Sequence, residues 1–103
     1  MIAAFSISPL GTGESVGRSV AGAVRIVRES GLPNETNAMF TNVEGSWDEV
    51  MDVLRRCVDD VSTVSERVSV VVKLDIRGDV DTPGGTGRLV AKTATVERHL
   101  ADG

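Results

Sequence analysis

SWDEVMDVLRRCVDDVSTVSERVSVVVKLDIR, residues 46–77, changes its hydrophobic period once, and that change sets the architecture around it. In its first half Trp47, Val50, Met51, Leu54, Cys57, Val58 and Val61 recur at helical spacing. Ser46 and Glu49 have the Ser-x-x-Glu spacing of a capping box, and Asp48, Glu49 and Asp52 favour the positive end of the helix dipole. From residue 66 to 77 the period drops to two. Val68, Val70, Val72, Leu74 and Ile76 take one face, and Arg67, Ser69, Val71, Lys73, Asp75 and Arg77 the other. A capped amphipathic helix therefore feeds a strand with one apolar and one polar face.

Upstream the same order recurs. Residues 2–9 alternate as a strand, with Ala3, Phe5 and Ile7 opposite Ala4, Ser6 and Ser8; Pro9 and the Gly11-Thr12-Gly13 turn end it. From Ser15 a helical stripe of Val16, Val20, Ala23, Val24, Ile26 and Val27 runs opposite Arg18, Arg25 and Arg28, and Gly31 and Pro33 close it. Residues 33–36 and 38–44 read as two short strands turning at Asn37. Downstream, residues 78–87 are a Gly-, Asp- and Thr-rich loop expected to be mobile. A last helix over 88–100 carries Leu89, Thr93, Val96 and Leu100 on one stripe. The order predicts an α+β fold, a ferredoxin-like βαββαβ sandwich with an additional C-terminal helix. Both main helices would cover one face of a four-stranded antiparallel sheet and leave the other bare.

The 103 residues suffice for one domain, 1–103. Eleven Lys and Arg are scattered among fifteen acids for a net charge of −4, and aromatic residues make up 3%. Neither a phosphate-binding patch nor a stacking platform for nucleic acid can be assembled from them. No apolar run reaches the length of a membrane span, and no secretory leader is apparent, so the expected setting is cytoplasmic. One cysteine, Cys57, and one histidine, His99, cannot build a zinc site of the usual type, so no metal is expected. Gly11, Gly13 and Gly17 lack dinucleotide-fingerprint spacing, and Gly84-Gly85-Thr86-Gly87 lacks the Lys-Ser/Thr of a phosphate loop; no cofactor is implied.

The chemistry-bearing residues fall on the sheet. Ser6, Lys73, Asp75 and Arg77 are expected on the bare face, with Thr41, Asn42 and Glu44 on or at the end of a neighbouring strand. Such a set can meet solvent, pair across a subunit interface, or orient a small polar ring. Catalysis by Lys73 or Glu44 as acid or base would need an oriented partner that the sequence does not offer.

Phe5-Ser6-Ile7-Ser8-Pro9-Leu10-Gly11, the Ser30-Gly31-Leu32 stop, and Met39 through Val50 with Thr41-x-x-Glu44-Gly45 resemble the small thiamine-binding proteins of the YkoF-like superfamily. Arg67-Val68, Lys73 through Arg77, and Lys92 with Val96 continue the likeness over nearly the whole chain. Ala4 and Ile76 depart from it, standing where acids are usual. The resemblance implies a ferredoxin-like fold in homodimers or homotetramers. It also implies binding of thiamine or its hydroxymethyl-pyrimidine moiety near a subunit interface, without turnover. Matched positions point to Ser6, Thr41, Glu44, Lys73 and Arg77 near the ligand or interface. Glu44 would accept from an aminopyrimidine, Ser6 and Thr41 would complete the polar edge, Lys73 would compensate the Glu44 charge, and Phe40 could stack. The alternative is a structural or regulatory homo-oligomer with no small-molecule ligand.

Overall fold

A computed structural model describes residues 1–11, 16–78 and 82–102, without the side chains of Val16, Lys92 and Thr93. Strand β1 (Ile2–Leu10) leads to helix α1 (Val16–Glu29), strands β2 (Asn34–Thr36) and β3 (Thr41–Glu44), helix α2 (Trp47–Ser62), strand β4 (Arg67–Asp75) and helix α3 (Arg88–Asp102). The strands form one sheet in the order β2-β3-β1-β4, with every neighbouring pair antiparallel. This is the expected ferredoxin-like arrangement with its extra C-terminal helix. The predicted turn residues Thr12 and Gly13 and the helix start at Ser15 lie outside the described residues.

The capping box forms as the sequence spelled it. Glu49 N donates to Ser46 Oγ at 3.3 Å, and Ser46 N donates to Glu49 Oε1 at 2.9 Å. α2 then buries Val50, Val53, Cys57 and Val61, while Trp47 stays half exposed. α1 buries Ala23 and Val27 against them, and its arginines 18, 25 and 28 are exposed. The two helices approach closely: a Cβ on Gly22 would lie 2.6 Å from Asp60 Oδ2. Cys57 Sγ donates to Ala23 O at 3.5 Å, and burial, then the neighbouring Asp60 charge, pushes its thiol up to about 11. The core closes on Ala3, Phe5, Ile7 and Val43 from the sheet.

Register divides the sheet residues between two faces. Ala3 opposite Leu74, Phe5 opposite Val72 and Ile7 opposite Val70 face the helices; Ala4 opposite Lys73 and Ser6 opposite Val71 face away. β4 ends at Asp75, two residues short of the alternating run, so Ile76 is exposed and Arg77 lies past the strand. The β2–β3 turn spans 37–40, with Asn37 Oδ1 accepting from Met39 N and Phe40 N at 2.9 Å each. β3 is consequently four residues long, against nine in β1.

Candidate functional site

That length mismatch makes the cleft. β1 pairs with β3 only from Ile2 to Phe5, the last pair being Phe5 with Thr41. Beyond it, among the described residues, no strand pairs with β1 on this side, and Pro9, which has no N–H to give a ladder, sits within that stretch. The turn 37–40 flares away instead of continuing the sheet. Between it, α1 and residues 5–8 of β1 lies a cleft of about 180 Å³. Val20, Ala23, Val24, Met39, Phe40, Phe5 and Ile7 give its apolar wall, and the β1 edge at Ser6 and Ser8 lines it together with Thr36 and Thr41. Thr36 Oγ1 and Thr41 Oγ1 lie 3.4 Å apart. A volume of this order falls below the range of about 300–1,000 Å³ usual for drug-sized ligands and suits a single ring.

Of the residues singled out from the sequence, Ser6 and Thr41 meet here, with Phe40 as the aromatic wall. Thr41 is buried on the helix-facing side of β3, not on the open face. Lys73 is exposed on the open face, opposite Ala4, and Arg77 is exposed beyond β4. Neither lines the cleft. Ser8, Thr36 and Val24 were not anticipated as cleft residues. The signal that could have found them was the length of the β1 run against the short strands on either side of the 37–40 turn.

Glu44 has a different environment. It faces the open side at the end of β3, opposite Ile2, and is fully buried. Its Oε2 accepts from Thr86 N at 2.8 Å and Arg88 N at 3.1 Å, and its Oε1 from Leu89 N at 3.0 Å. These are donors at the α3 N-terminus that no preceding turn of helix can satisfy. α3 has no acid in its first turn, and Gly87 begins its ladder, accepting from Ala91 N at 2.9 Å. A strand carboxylate thus caps a helix more than forty residues away in sequence. Burial alone would raise the Glu44 carboxyl; the N–H groups of Leu89, Thr86 and Arg88 outweigh it and hold it below the ordinary value. The charge is compensated by backbone donors and the helix dipole, where the sequence reading had offered Lys73.

Two further ties complete this clasp. Arg88 Nη2 meets Asp75 Oδ1 at 2.9 Å, and Gly84 N donates to Glu49 Oε1 at 2.6 Å. The described part of the glycine-rich loop, 82–87, is thereby fastened at both Glu44 and Glu49. Gly85 must be glycine: its φ is +83°, and a Cβ there would come within 2.7 Å of the Glu44 side chain. A wider groove of about 440 Å³ runs between β2 and α3, walled by Leu89, Val90 and Ala94 with Glu35 and Glu97 at its rim. It gathers no comparable set of hydroxyls.

A family model described as thiamine-binding protein matches residues 3–97. The chain belongs to that family. The UPF0045 protein Mb1933 of Mycobacterium bovis is 52% identical over 101 residues, covering 97% of this chain and 94% of that one. The UPF0045 protein MJ1052 of Methanocaldococcus jannaschii is 37% identical over 100 residues, covering 97% and 88%. The crystal structure of MJ1052 superposes with a TM-score of 0.73 at 32% identity over 90% of this chain and 94% of its own. The Thermotoga maritima protein TM0486, named for thiamine biosynthesis/salvage, gives a TM-score of 0.72 over 89% and 96% at 17% identity, a likeness of fold alone. Among the described residues, no helix is long and apolar enough to cross a membrane, and no cluster of His, Cys, Asp or Glu is placed to hold a metal.

Proposed function

We propose that this member of the thiamine-binding family holds thiamine, or its hydroxymethyl-pyrimidine moiety, without chemical turnover, with the pyrimidine ring in the cleft beside β1. The observation that carries the reading is the unpaired flank of β1 at residues 6–8. It offers the β1 edge at Ser6 and Ser8, the Thr36 and Thr41 side chains, and Phe40 around one ring-sized space. An aminopyrimidine presents donors and acceptors along one edge and an apolar face, which is the complement of that wall. Within this reading Ser6 and Thr41 are contacts. Glu44, whose two oxygens hold α3, acts on the site only through the fold, and Lys73 and Arg77 stand outside the cleft. A second reading, a homodimer or homotetramer whose open sheet face is consumed by subunit contact with no ligand, draws on Val71, 57% exposed in the middle of β4 on that face.

Titration calorimetry with thiamine and with hydroxymethyl-pyrimidine separates the two. Saturable heat with either is expected, weakened about 2- to 10-fold by Thr41→Val or Ser6→Ala, the range for one neutral hydrogen bond. Absence of heat with both ligands at micromolar protein would refute ligand binding and leave the oligomer.

A further inference from the structure

The β1–β3 ladder fixes which backbone groups of β1 point into the cleft. Met1 N donates to Gly45 O at 2.7 Å and Gly45 N donates to Met1 O at 3.1 Å, so these two residues exchange both bonds. In an antiparallel ladder such pairs alternate, every second residue turning its N–H and C=O to the same neighbour. Continued through the register, Ala3 with Val43 and Phe5 with Thr41 are bonded pairs, and Ile7 is the next residue of β1 to face that side. Residues of the other parity turn to β4, as the Leu10 carbonyl does, accepting there from Ser65 Oγ at 2.8 Å.

Ile7 therefore presents a donor and an acceptor side by side to the cleft, and among the described residues neither has a partner. Register would set Met39 opposite it. Met39 N and Phe40 N instead both donate to Asn37 Oδ1 at 2.9 Å, and Phe40 O accepts from Asn37 N at 2.9 Å. The turn keeps its own polar groups occupied and leaves β1 unpaired. Ile7 is 5% exposed, a setting in which an unpaired backbone group is costly. Pro9, the next residue on this side, has no N–H, so the free ladder is one residue long. An added peptide strand would find a single bonded pair there, whereas one ring carrying an acceptor beside a donor satisfies it in full.

We propose that the backbone N–H and C=O of Ile7 are the specificity-determining element of the cleft, taking the amidine edge of an aminopyrimidine, and that Asn37 holds the turn so that they stay free. The ring nitrogen accepts from Ile7 N–H, and the exocyclic amine donates to Ile7 C=O. The assignment rests on the ligand reading above and adds the main chain to the Ser6 and Thr41 contacts. Among the described residues no charged side chain lines the cleft, so a neutral ring is read by these bonds and by shape.

Amide exchange of the free protein and of its complex with hydroxymethyl-pyrimidine, followed residue by residue, tests this. In the free protein Ile7 N–H should exchange at least about tenfold faster than Phe5 N–H, which is laddered to Thr41. With ligand at a concentration that saturates the heat, Ile7 should slow about tenfold or more, beyond any change at Ser8, whose N–H faces β4. The analogue with hydrogen in place of the exocyclic amine should bind about 5- to 150-fold more weakly, the range for a buried acceptor left unpaired. Asn37→Ala frees Met39 N–H to reach Ile7; it should protect Ile7 without ligand and weaken binding about tenfold. Asn37→Asp keeps the acceptor and should bind as the parent does. Saturable heat with no added protection at Ile7, or Ile7 as protected as Phe5 in the free protein, overturns the inference and leaves the ligand reading standing. No heat with either ligand refutes that reading and this inference together.

Discussion

Replacing Glu44 by glutamine tests whether a strand carboxylate, through its charge, holds the C-terminal helix. The side chain keeps its size, so the buried space is not altered. The carboxylate accepts three backbone N–H groups at 2.8–3.1 Å. Hydrogen bonds to a charged group contribute about 1.5–3 kcal/mol each, roughly twice a neutral one. Glutamine retains one oxygen, which serves the Thr86 and Arg88 donors at about half strength, while its NH₂ turns toward Leu89 N–H and forfeits the third bond. The summed loss is about 3–6 kcal/mol, or about 150-fold and more in an opening equilibrium. α3 leaves Val90, Val96 and Leu100 largely exposed, so it can detach without unfolding the α1–α2 core. The loss should therefore be local. Native-state hydrogen exchange is the assay: amides of Thr86, Arg88 and Leu89 should exchange at least about 150-fold faster in Glu44→Gln, with those of Val53 and Cys57 unchanged. Protection at the three donors within about twofold of the parent would refute the clasp, and an equal loss in α2 would refute its local character.

Gly85→Ala should undock α3 further than Gly84→Ala. Both have positive φ, which costs about 1–2 kcal/mol for alanine, but only the Gly85 Cβ meets Glu44, at 2.7 Å, while nothing lies within 4 Å at Gly84; limited proteolysis of the 82–87 loop reads the difference. Acid should release the clasp. Glu44 and Glu49 are both held below the ordinary carboxylate value in the folded protein by backbone N–H donors, so their stabilisation is present above that ordinary value and is lost as pH falls through the lowered folded ones, which exchange followed down an acid series would show. Cys57 should resist thiol reagents at pH 8. A thiol near 11 is about one-thousandth thiolate there and has no exposed surface, so modification should track unfolding, and fast stoichiometric labelling of the native protein would contradict its burial.

Much of the fold is legible in local patterns because its determinants are local. The Ser46–Glu49 box, the α2 stripe through Cys57 and Val61, the arginine-lined back of α1 and the alternation from Arg67 to Asp75 each follow from spacing within a few residues. Hydrophobic period and capping act through neighbours, so they are written where they operate.

The candidate site was only half legible. Ser6 was singled out for the bare face and Thr41 only for its place on a neighbouring strand. Register turned Thr41 inward, and the early end of β3 opened the flank of β1 where the two meet. Where a strand ends depends on when its neighbour stops pairing, a property of two segments together. Glu44 shows the same limit more sharply. By itself the sequence determined that a carboxylate stands at the end of β3 and, some forty residues on, that a glycine-rich loop leads into a helix without an acidic first turn. Only the tertiary structure decided that these answer each other, because a buried charge takes whichever donors the fold brings to it, and here those are the free N–H groups of α3.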